Sequence, residues 1–207
     1  PVTSASELAS VVDCAVEAAA RWRKLTGPAR ADHLYRWGDA IAARNEELAQ
    51  AIAREVGKPI GEARGEVARA TVILRYYAGE AVRDVGEVIP AQTPDTLQFT
   101  VRDPLGVVAL ITPWNFHVAI TIWKAAPALA FGNGVVLKPS ELSIGVAAML
   151  IETAGQAGLP DGLVGVVWGA GEVGAALIAS PGISGVSFTG SARVGALVAE
   201  SASRRNI

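Results

Sequence analysis

The first part of the chain repeats apolar residues at three- and four-residue spacing, which is the period of amphipathic helices. The capping box Ser4–Glu7 and the apolar stripe that follows it predict a helix over residues 5–25. Gly27-Pro28 ends that helix and suits the first turn of a second one, whose apolar stripe runs as far as Leu48. Val56-Gly57-Lys58-Pro59 ends the second helix, and a third long helix is predicted over residues 60–82. The pattern therefore indicates three helices in succession, with their arginines and glutamates on the outer faces.

The spacing of apolar residues changes near Val85, from the helical period to the alternation of a strand. Leu97, Phe99 and Val101 alternate with polar residues, which predicts a half-exposed strand. Beyond it, short apolar runs alternate with helical stretches: strand 107–111, helix 117–131, strand 134–137, helix 141–156, strand 163–168, helix 172–179, strand 184–188 and helix 191–203. Strands that are apolar on both faces and joined by crossover helices are typical of a parallel sheet. The predicted fold is therefore α/β, with an N-terminal helical segment followed by a Rossmann-like doubly wound parallel sheet.

We divide the 207-residue chain into three segments on this basis. Residues 1–84 form the helical segment, 85–106 an extended strand or arm, and 107–207 the Rossmann-like region. The chain starts at Pro1 without methionine and stops shortly after a helix, at Ile207. Both ends are expected to be cut from a longer polypeptide.

Composition narrows the class of protein. Hydrophobic residues make up 51% of the chain, charged residues 18%, and the formal net charge is −2, so neither a nucleic-acid partner nor a charged tail is indicated. The apolar stretch 116–137 is interrupted by His117 and Lys124, which argues against a membrane span. The single cysteine, Cys14, suits a reducing compartment. His33 and His117 are isolated, so no metal site is expected.

Polar residues follow three of the predicted strands at their carboxyl ends, where ligands bind in open α/β sheets. The first junction is Ile111-Thr112-Pro113-Trp114-Asn115. An amide in the position of Asn115 suits a hydrogen-bond donor aimed at a developing oxyanion. Asparagine is equally suited to be a simple helix N-cap, and spacing alone does not choose between the two.

The second junction is Leu137-Lys138-Pro139-Ser140-Glu141. It can be plain helix initiation, with Ser140 as the cap and Glu141 complementing the helix dipole. Alternatively, Glu141 follows the second parallel strand, which is about where a doubly wound fold places its ribose-binding carboxylate. Lys138 would then be held beside it by the rigid proline.

Two glycine-containing turns follow later strands. The stretch 169–174 matches G-x-G-x-x-G, but no acidic residue lies between Glu172 and Glu200, so it is not an ordinary dinucleotide fingerprint. Gly190-Ser191, after Phe188-Thr189, is the better phosphate candidate, because free N–H groups at a helix N-terminus attract anions. A simple cap remains the alternative.

Together these junctions resemble the NAD(P)-binding half of the aldehyde dehydrogenase family, and the resemblance runs through essentially the whole chain. It implies that Asn115 is the side-chain donor of an oxyanion hole. It also implies a cofactor site made of Ile111, Thr112, Pro113, Trp114, Lys138, Ser140, Glu141, Gly171, Phe188, Thr189, Gly190, Ser191 and Val194. In that site Lys138 and Glu141 would bind the adenosine ribose, which favours NAD, while Lys138 would still tolerate NADP.

The resemblance implies oxidation of an aldehyde to a carboxylate, but the chain stops before the family's catalytic glutamate and cysteine. We therefore expect the cofactor-binding portion of such an enzyme, inactive alone; the alternative is an NAD(P)-binding module or pseudoenzyme. Similarity to bacterial enzymes acting on semialdehydes indicates a small aldehyde substrate, with Phe116, His117 and Trp123 near its pocket and no carboxylate-binding arginine assignable. The complete enzyme is expected to be a cytoplasmic homodimer or homotetramer.

Overall fold

The computed structural model describes residues 2–83 and 86–207. Four helices form its first part: Ala5–Trp22 (α1), Gly27–Ala43 (α2), Asn45–Val56 (α3) and Ile60–Glu80 (α4). The capping box is present at α1, where Ser4 Oγ accepts from the Glu7 backbone N–H and Glu7 Oε2 accepts from the Ser4 backbone N–H at 2.7 Å. The predicted segment boundary between residues 84 and 85 lies outside the described residues, and that division stays a prediction.

The single helix predicted between Gly27-Pro28 and the stop at residues 56–59 is wrong, because α2 and α3 are separate helices that meet at Arg44. The backbone of Arg44 has φ −103° and ψ 18°, outside the helical region. Its guanidinium donates to Glu47 at 2.7 Å and to Glu152 at 3.1 Å. The break is thus stabilised by a contact with a residue distant in sequence, which no local pattern reveals.

The extended arm contains two short antiparallel strands, Val88–Ile89 (β1) and Gln98–Phe99 (β2). The predicted half-exposed strand is therefore only two residues long. Leu97, Phe99 and Val101 are all exposed, Leu97 by 74%. The alternation does not separate a buried face from an exposed one, because within the described residues no second layer packs against the arm.

The second half of the chain confirms the predicted α/β fold. Its elements are Val107–Ile111 (β3), Ala119–Ala130 (α5), Gly134–Lys138 (β4), Ile144–Gln156 (α6), Val164–Val166 (β5), Gly171–Ala179 (α7), Ile183–Phe188 (β6) and Ala192–Ser203 (α8). The last four strands pair in parallel in the order β5-β4-β3-β6. Among the described helices, none is long and apolar enough to cross a membrane.

The sheet buries both faces, which is why its strands are apolar throughout. Ala109 of β3 packs into one cluster with α1 and α7, whereas its neighbour Leu110 packs into the other with helices α2 to α6. Two buried indoles tie the second layer together: Trp22 donates to the Leu129 carbonyl at 2.8 Å, and Trp37 donates to Thr153 Oγ1 at 2.9 Å. Helices of the N-terminal segment therefore cover both faces of the sheet, with most of α1 in one cluster and α2 to α4 in the other.

Candidate functional site

The carboxyl ends of three neighbouring strands meet at one edge of the sheet. Ile111 of β3 is in register with Lys138 of β4 on one side and with Phe188 of β6 on the other. The pairing continues past the strands, since Thr112 N donates to the Lys138 carbonyl at 3.3 Å and Thr189 N donates to the Ile111 carbonyl at 3.0 Å. Strand order reverses at β3, so this edge is a topological switch point, where open α/β sheets bind ligands.

An apolar cleft of about 140 Å³ opens beside this edge, between α7 and α8. Ile111, Gly171 and Val194 line it, together with Gly174 and Leu197. The structure therefore brings together three of the residues named from the sequence. A side chain at Gly171 would meet nothing within 4 Å, so the backbone there is open to approach.

Lys138 is buried at the end of β4. Its Nζ donates to the carbonyl of Pro139 at 2.7 Å and to that of Gly169 at 2.6 Å, which links β4 to the glycine-containing turn before α7. Burial lowers the pKa of Lys138, and the nearby carboxylate of Glu141 opposes that shift. A Cβ at Gly174 would lie 3.3 Å from Lys138 Cδ, so this glycine leaves room for the lysine stem.

The simple capping alternative at the second junction is wrong. Helix α6 begins at Ile144 rather than 141, after a turn in which Ser143 N donates to the Ser140 carbonyl at 3.1 Å. The free N–H groups of Gly145 and Val146 are instead held by Glu55 of α3, at 2.7 and 3.0 Å. Ser140 and Glu141 thus stand before the helix, without serving as its N-cap.

Ser191 does cap α8, because its Oγ accepts from the Val194 backbone N–H at 3.3 Å. The capping role of Ser191 does not exclude an anion site at the N-terminus of α8, because that N-terminus faces solvent. Helix α8 has no buried residue, and Gly190 and Ser191 are exposed. A Cβ at Gly190 would lie 2.5 Å from Phe188 Cζ, so the turn needs glycine to pass the aromatic ring.

Asn115 lies in an exposed turn that spans residues 114–118, between β3 and α5. It is not the N-cap of α5, which starts at Ala119 with Val118 at the cap position. Its side-chain amide has no hydrogen-bond partner among the described residues. The helix N-cap alternative is therefore wrong for Asn115, and its role as an oxyanion donor stays a prediction.

A buried ion pair holds the turn that carries Asn115. Glu66 of α4 is fully buried, accepts from Lys58 Nζ at 2.5 Å, and accepts from the backbone N–H groups of Val118 and Ala119 at 2.8 and 3.3 Å. Lys58 Nζ also donates to the Asn115 carbonyl at 2.5 Å. One carboxylate and one ammonium thereby fix both ends of the turn.

His117 belongs to this turn, and its side chain points away from the exposed Asn115 side of it into the protein. It is buried, its Nδ1 lies 2.6 Å from the Trp114 carbonyl, and its Nε2 is buried without a partner among the described residues. Burial lowers the pKa of His117, and the Glu66 carboxylate opposes that effect. Of the three residues expected near a substrate pocket, Phe116 and Trp123 line a cavity and His117 does not, and the place of the substrate pocket stays a prediction.

Lys124 is half-buried on α5, close to the β6 edge strand. Its Nζ donates to Ser187 Oγ at 2.9 Å, and burial lowers its pKa. With Trp123, Ser187 and Thr189 it lines a second cavity of about 300 Å³.

Cys14, by contrast, is exposed on α1.

Sequence reasoning missed the residues that support the site. The sequence pattern predicts Lys58 only as part of a helix stop and predicts Glu55 and Glu66 on solvent-facing sides of their helices. Glu66 did carry a signal, since it lies at the same helical spacing as the buried residues Ala63 and Ala70. A charged residue on the apolar face of a helix is expected to have a buried partner, because an unpaired charge is costly to bury.

With this geometry described, the comparison with known proteins is informative. The sequence profile of the aldehyde dehydrogenase family matches residues 1–207. The chain belongs to the aldehyde dehydrogenase family. The curated alpha-ketoglutaric semialdehyde dehydrogenase of Bacillus subtilis is 47% identical over 204 residues, which cover 98% of this chain and 42% of that protein.

Solved structures of the family share this fold closely. The NAD-dependent aldehyde dehydrogenase of Sinorhizobium meliloti superposes with a TM-score of 0.95 at 40% identity, covering 99% of this chain and 41% of that one. The NADP-dependent glyceraldehyde-3-phosphate dehydrogenase of Bacillus halodurans, complexed with NADP, gives a TM-score of 0.92 at 35% identity, covering 97% and 44%. This aldehyde dehydrogenase chain thus spans less than half the length of these relatives.

Proposed function

We propose that this chain is the NAD(P)-binding portion of an aldehyde dehydrogenase, which oxidises an aldehyde to a carboxylate with NAD(P)⁺ and water. The observation that carries the proposal is the register of Ile111, Lys138 and Phe188 at the switch point of the sheet. Polar groups from three loops are thereby available to one ligand. Membership of the family supplies the chemistry that such a ligand would perform.

A dinucleotide suits this edge of the sheet. The cleft between α7 and α8 offers an apolar wall, with Val194 and Gly171 on its sides, for a flat base. Glu141 and Lys138, before α6, would bind ribose hydroxyls, and Ser140 would lie beside them. The exposed N-terminus of α8 at Gly190-Ser191 would take the pyrophosphate. When bound, the cofactor supplies the hydride acceptor.

The remaining assigned residues would surround the reacting end. Ile111, Thr112 and Pro113 connect the sheet to the turn, and Phe188-Thr189 forms the neighbouring tip. Asn115 would donate a hydrogen bond to the oxyanion that develops on the aldehyde carbon. The nucleophile and the general base would come from the part of the family's length that this chain does not span.

NAD is the proposed cofactor, because a carboxylate such as Glu141 disfavours a 2′-phosphate. NADP remains possible, since Lys138 carries a compensating charge. The substrate we propose is a semialdehyde, as the name of the Bacillus subtilis relative supports. We further propose a cytoplasmic enzyme that is a homodimer or homotetramer when complete; the single cysteine supports the reducing compartment.

Two measurements test this function. Titration calorimetry should detect binding of NAD to the 207-residue chain, while NADH production from any aldehyde should be absent, because no assigned residue on it is a nucleophile. In the complete polypeptide, Asn115→Ala should lower kcat about 10²- to 10³-fold, the usual loss for one oxyanion donor, and leave NAD affinity unchanged. NADH production by the 207-residue chain that Asn115→Ala abolishes would contradict the proposal.

An NAD(P)-binding module without dehydrogenase activity is the alternative, favoured by the presence of most of the proposed cofactor contacts on this chain. It predicts the same calorimetric result but no oxidation by the complete polypeptide. Reading the gene beyond Ile207 separates the two, since the dehydrogenase requires a glutamate and a later cysteine.

A further inference from the structure

A cavity of about 570 Å³ opens between α4 and α5, directly beside the turn that carries Asn115. Its α5 side is apolar and is formed by Phe116, Ile120 and Trp123. Because Phe116 adjoins Asn115 in the chain, one wall of the cavity lies next to the proposed oxyanion donor. A carbon chain attached to an aldehyde bound at Asn115 would therefore extend into it.

A cation lies on the opposite wall of this cavity. Arg69 of α4 is exposed, and its guanidinium carbon lies 5.6 Å from the centre of the Trp123 ring. A cation within about 6 Å of an indole face is attracted to the ring, so Arg69 lies against the aromatic wall. Among the described residues, no carboxylate forms an ion pair with Arg69, in contrast to Arg64 on the same helix, which is 2.8 Å from Glu46.

Two other charges line the cavity, and neither neutralises Arg69. Glu66 is buried and already paired with Lys58 at 2.5 Å. Glu62 is exposed and lies seven residues before Arg69, which is roughly 10 Å along the helix axis. The cavity thus combines an apolar wall with an arginine free to accept an anionic group at a distance from the aldehyde end.

We propose that Arg69 binds the far-end carboxylate of an aliphatic semialdehyde, while Phe116, Ile120 and Trp123 cover its carbon chain. This inference rests on the proposed function. It names the carboxylate of the substrate as the group by which the enzyme distinguishes a semialdehyde from other aldehydes. A guanidinium presents parallel donors that match a carboxylate, and stacking on an aromatic ring leaves those donors free at its edge. Arg69 is therefore a specificity-determining residue of the cavity.

Kinetics of the complete polypeptide test the assignment with glutarate semialdehyde and with pentanal, an uncharged aldehyde of equal chain length. Arg69→Met should lower the ratio of kcat/KM for glutarate semialdehyde to that for pentanal by roughly 10- to 100-fold, mainly through KM, because a charge-assisted hydrogen bond is lost. Arg69→Lys should restore part of the ratio. The control Arg64→Met, on the outer face of α4, should leave the ratio unchanged. An equal effect of Arg69→Met on both aldehydes, or none, would overturn the inference.

A binding measurement separates this inference from the proposed function. If the complete polypeptide oxidises neither aldehyde, the proposed function is wrong. Binding of a carboxylate by Arg69 is then measured separately, on the 207-residue chain with glutarate as the probe. In ¹⁵N NMR spectra, glutarate should shift the Nε–Hε signal of Arg69, assigned by its loss in Arg69→Met, and pentanamide should not. An Arg69 Nε–Hε signal whose chemical shift does not change with glutarate up to high millimolar concentrations would refute carboxylate binding.

Discussion

At the scale of single residues, the support beneath the turn matters as much as the turn itself. Lys58 and Glu66 are both buried, with 9% and 0% of their side chains exposed. Glu66 also holds two backbone N–H groups, so its lone pairs are used on both oxygens. A buried pair of this kind is costly to break, because the partner left behind is an uncompensated charge.

Replacing one member of this pair should therefore destabilise the fold. We expect Glu66→Leu to lower the free energy of unfolding by about 3–5 kcal/mol, measured by urea denaturation. The double variant Lys58→Met/Glu66→Leu should recover part of the loss, since no lone charge remains. Arg75→Met, which breaks an exposed pair with Asp39, should cost only about 0–1 kcal/mol. Similar losses in Glu66→Leu and Arg75→Met would argue against the assigned role.

His117 should make stability depend on pH. Burial holds its pKa below the ordinary value of about 6.5, so the unfolded chain binds the proton more readily than the folded one. Stability should then be constant above about pH 6.5 and fall as the pH drops below it. We expect His117→Asn to reduce the difference in unfolding free energy between about pH 7.5 and about pH 5.5.

The other histidine, His33, should contribute separately to the pH dependence. Burial also lowers the pKa of His33, so His33→Asn should remove a separate part of the same pH dependence. An unchanged pH dependence in His117→Asn would show that its imidazole is protonated equally in both states.

At the scale of elements, close helix contacts depend on single glycines. Gly27 starts α2 against the end of α4, and a Cβ there would lie 2.1 Å from the Ala81 carbonyl oxygen. Gly61, in the first turn of α4, has nothing within 4 Å of an added Cβ. The two positions differ in packing, although both are helical glycines.

This contrast predicts opposite effects of the same substitution. Gly27→Ala should lower the free energy of unfolding by about 1–3 kcal/mol, because the backbone of α2 must shift away from α4. Gly61→Ala should raise it by about 0.4–1 kcal/mol, because the unfolded chain loses freedom while the helix gains no clash. Thermal melts of both variants measure the two effects, and a stabilising Gly27→Ala would refute the contact.

The elements that could be predicted are those decided by local pattern. The capping box of α1, the strands β3 and β4 and the parallel sheet follow from apolar period and turn residues. The start of α6 and the break at Arg44 could not be predicted, because Glu55 and Glu152 act on them from distant parts of the chain. The same holds for the site: the strand tips were visible in the sequence, whereas the buried supports needed the fold.

At the scale of the whole molecule, the arm exposes an apolar surface that the described residues do not cover. Leu97, Phe99 and Val101 are exposed by 74%, 58% and 66%, beside unpaired strand edges. Exposed apolar edges promote association between chains. The proposed assembly of the complete enzyme would cover such a surface.

We therefore expect the isolated 207-residue chain to self-associate through the arm. Sedimentation velocity over a range of concentrations should show oligomers that Leu97→Ser/Phe99→Lys reduces, because the arm then presents a charge at its edge. The control Val2→Lys alters an equally exposed valine away from the arm and should leave association unchanged. A monomer at all concentrations would contradict the expectation.

The distribution of indoles in the fold has a practical consequence. Trp22 and Trp37 are enclosed and hydrogen-bonded, whereas Trp114 and Trp123 are about half exposed, one in the Asn115 turn and one on the cavity wall. Aqueous quenchers will reach the outer pair and, less readily, the partly exposed Trp168, so fluorescence recorded at long wavelength reports mainly on the surroundings of the turn and the cavity. The enclosed pair emits as a steady internal reference, and the chain can signal occupancy by a ligand without any attached dye.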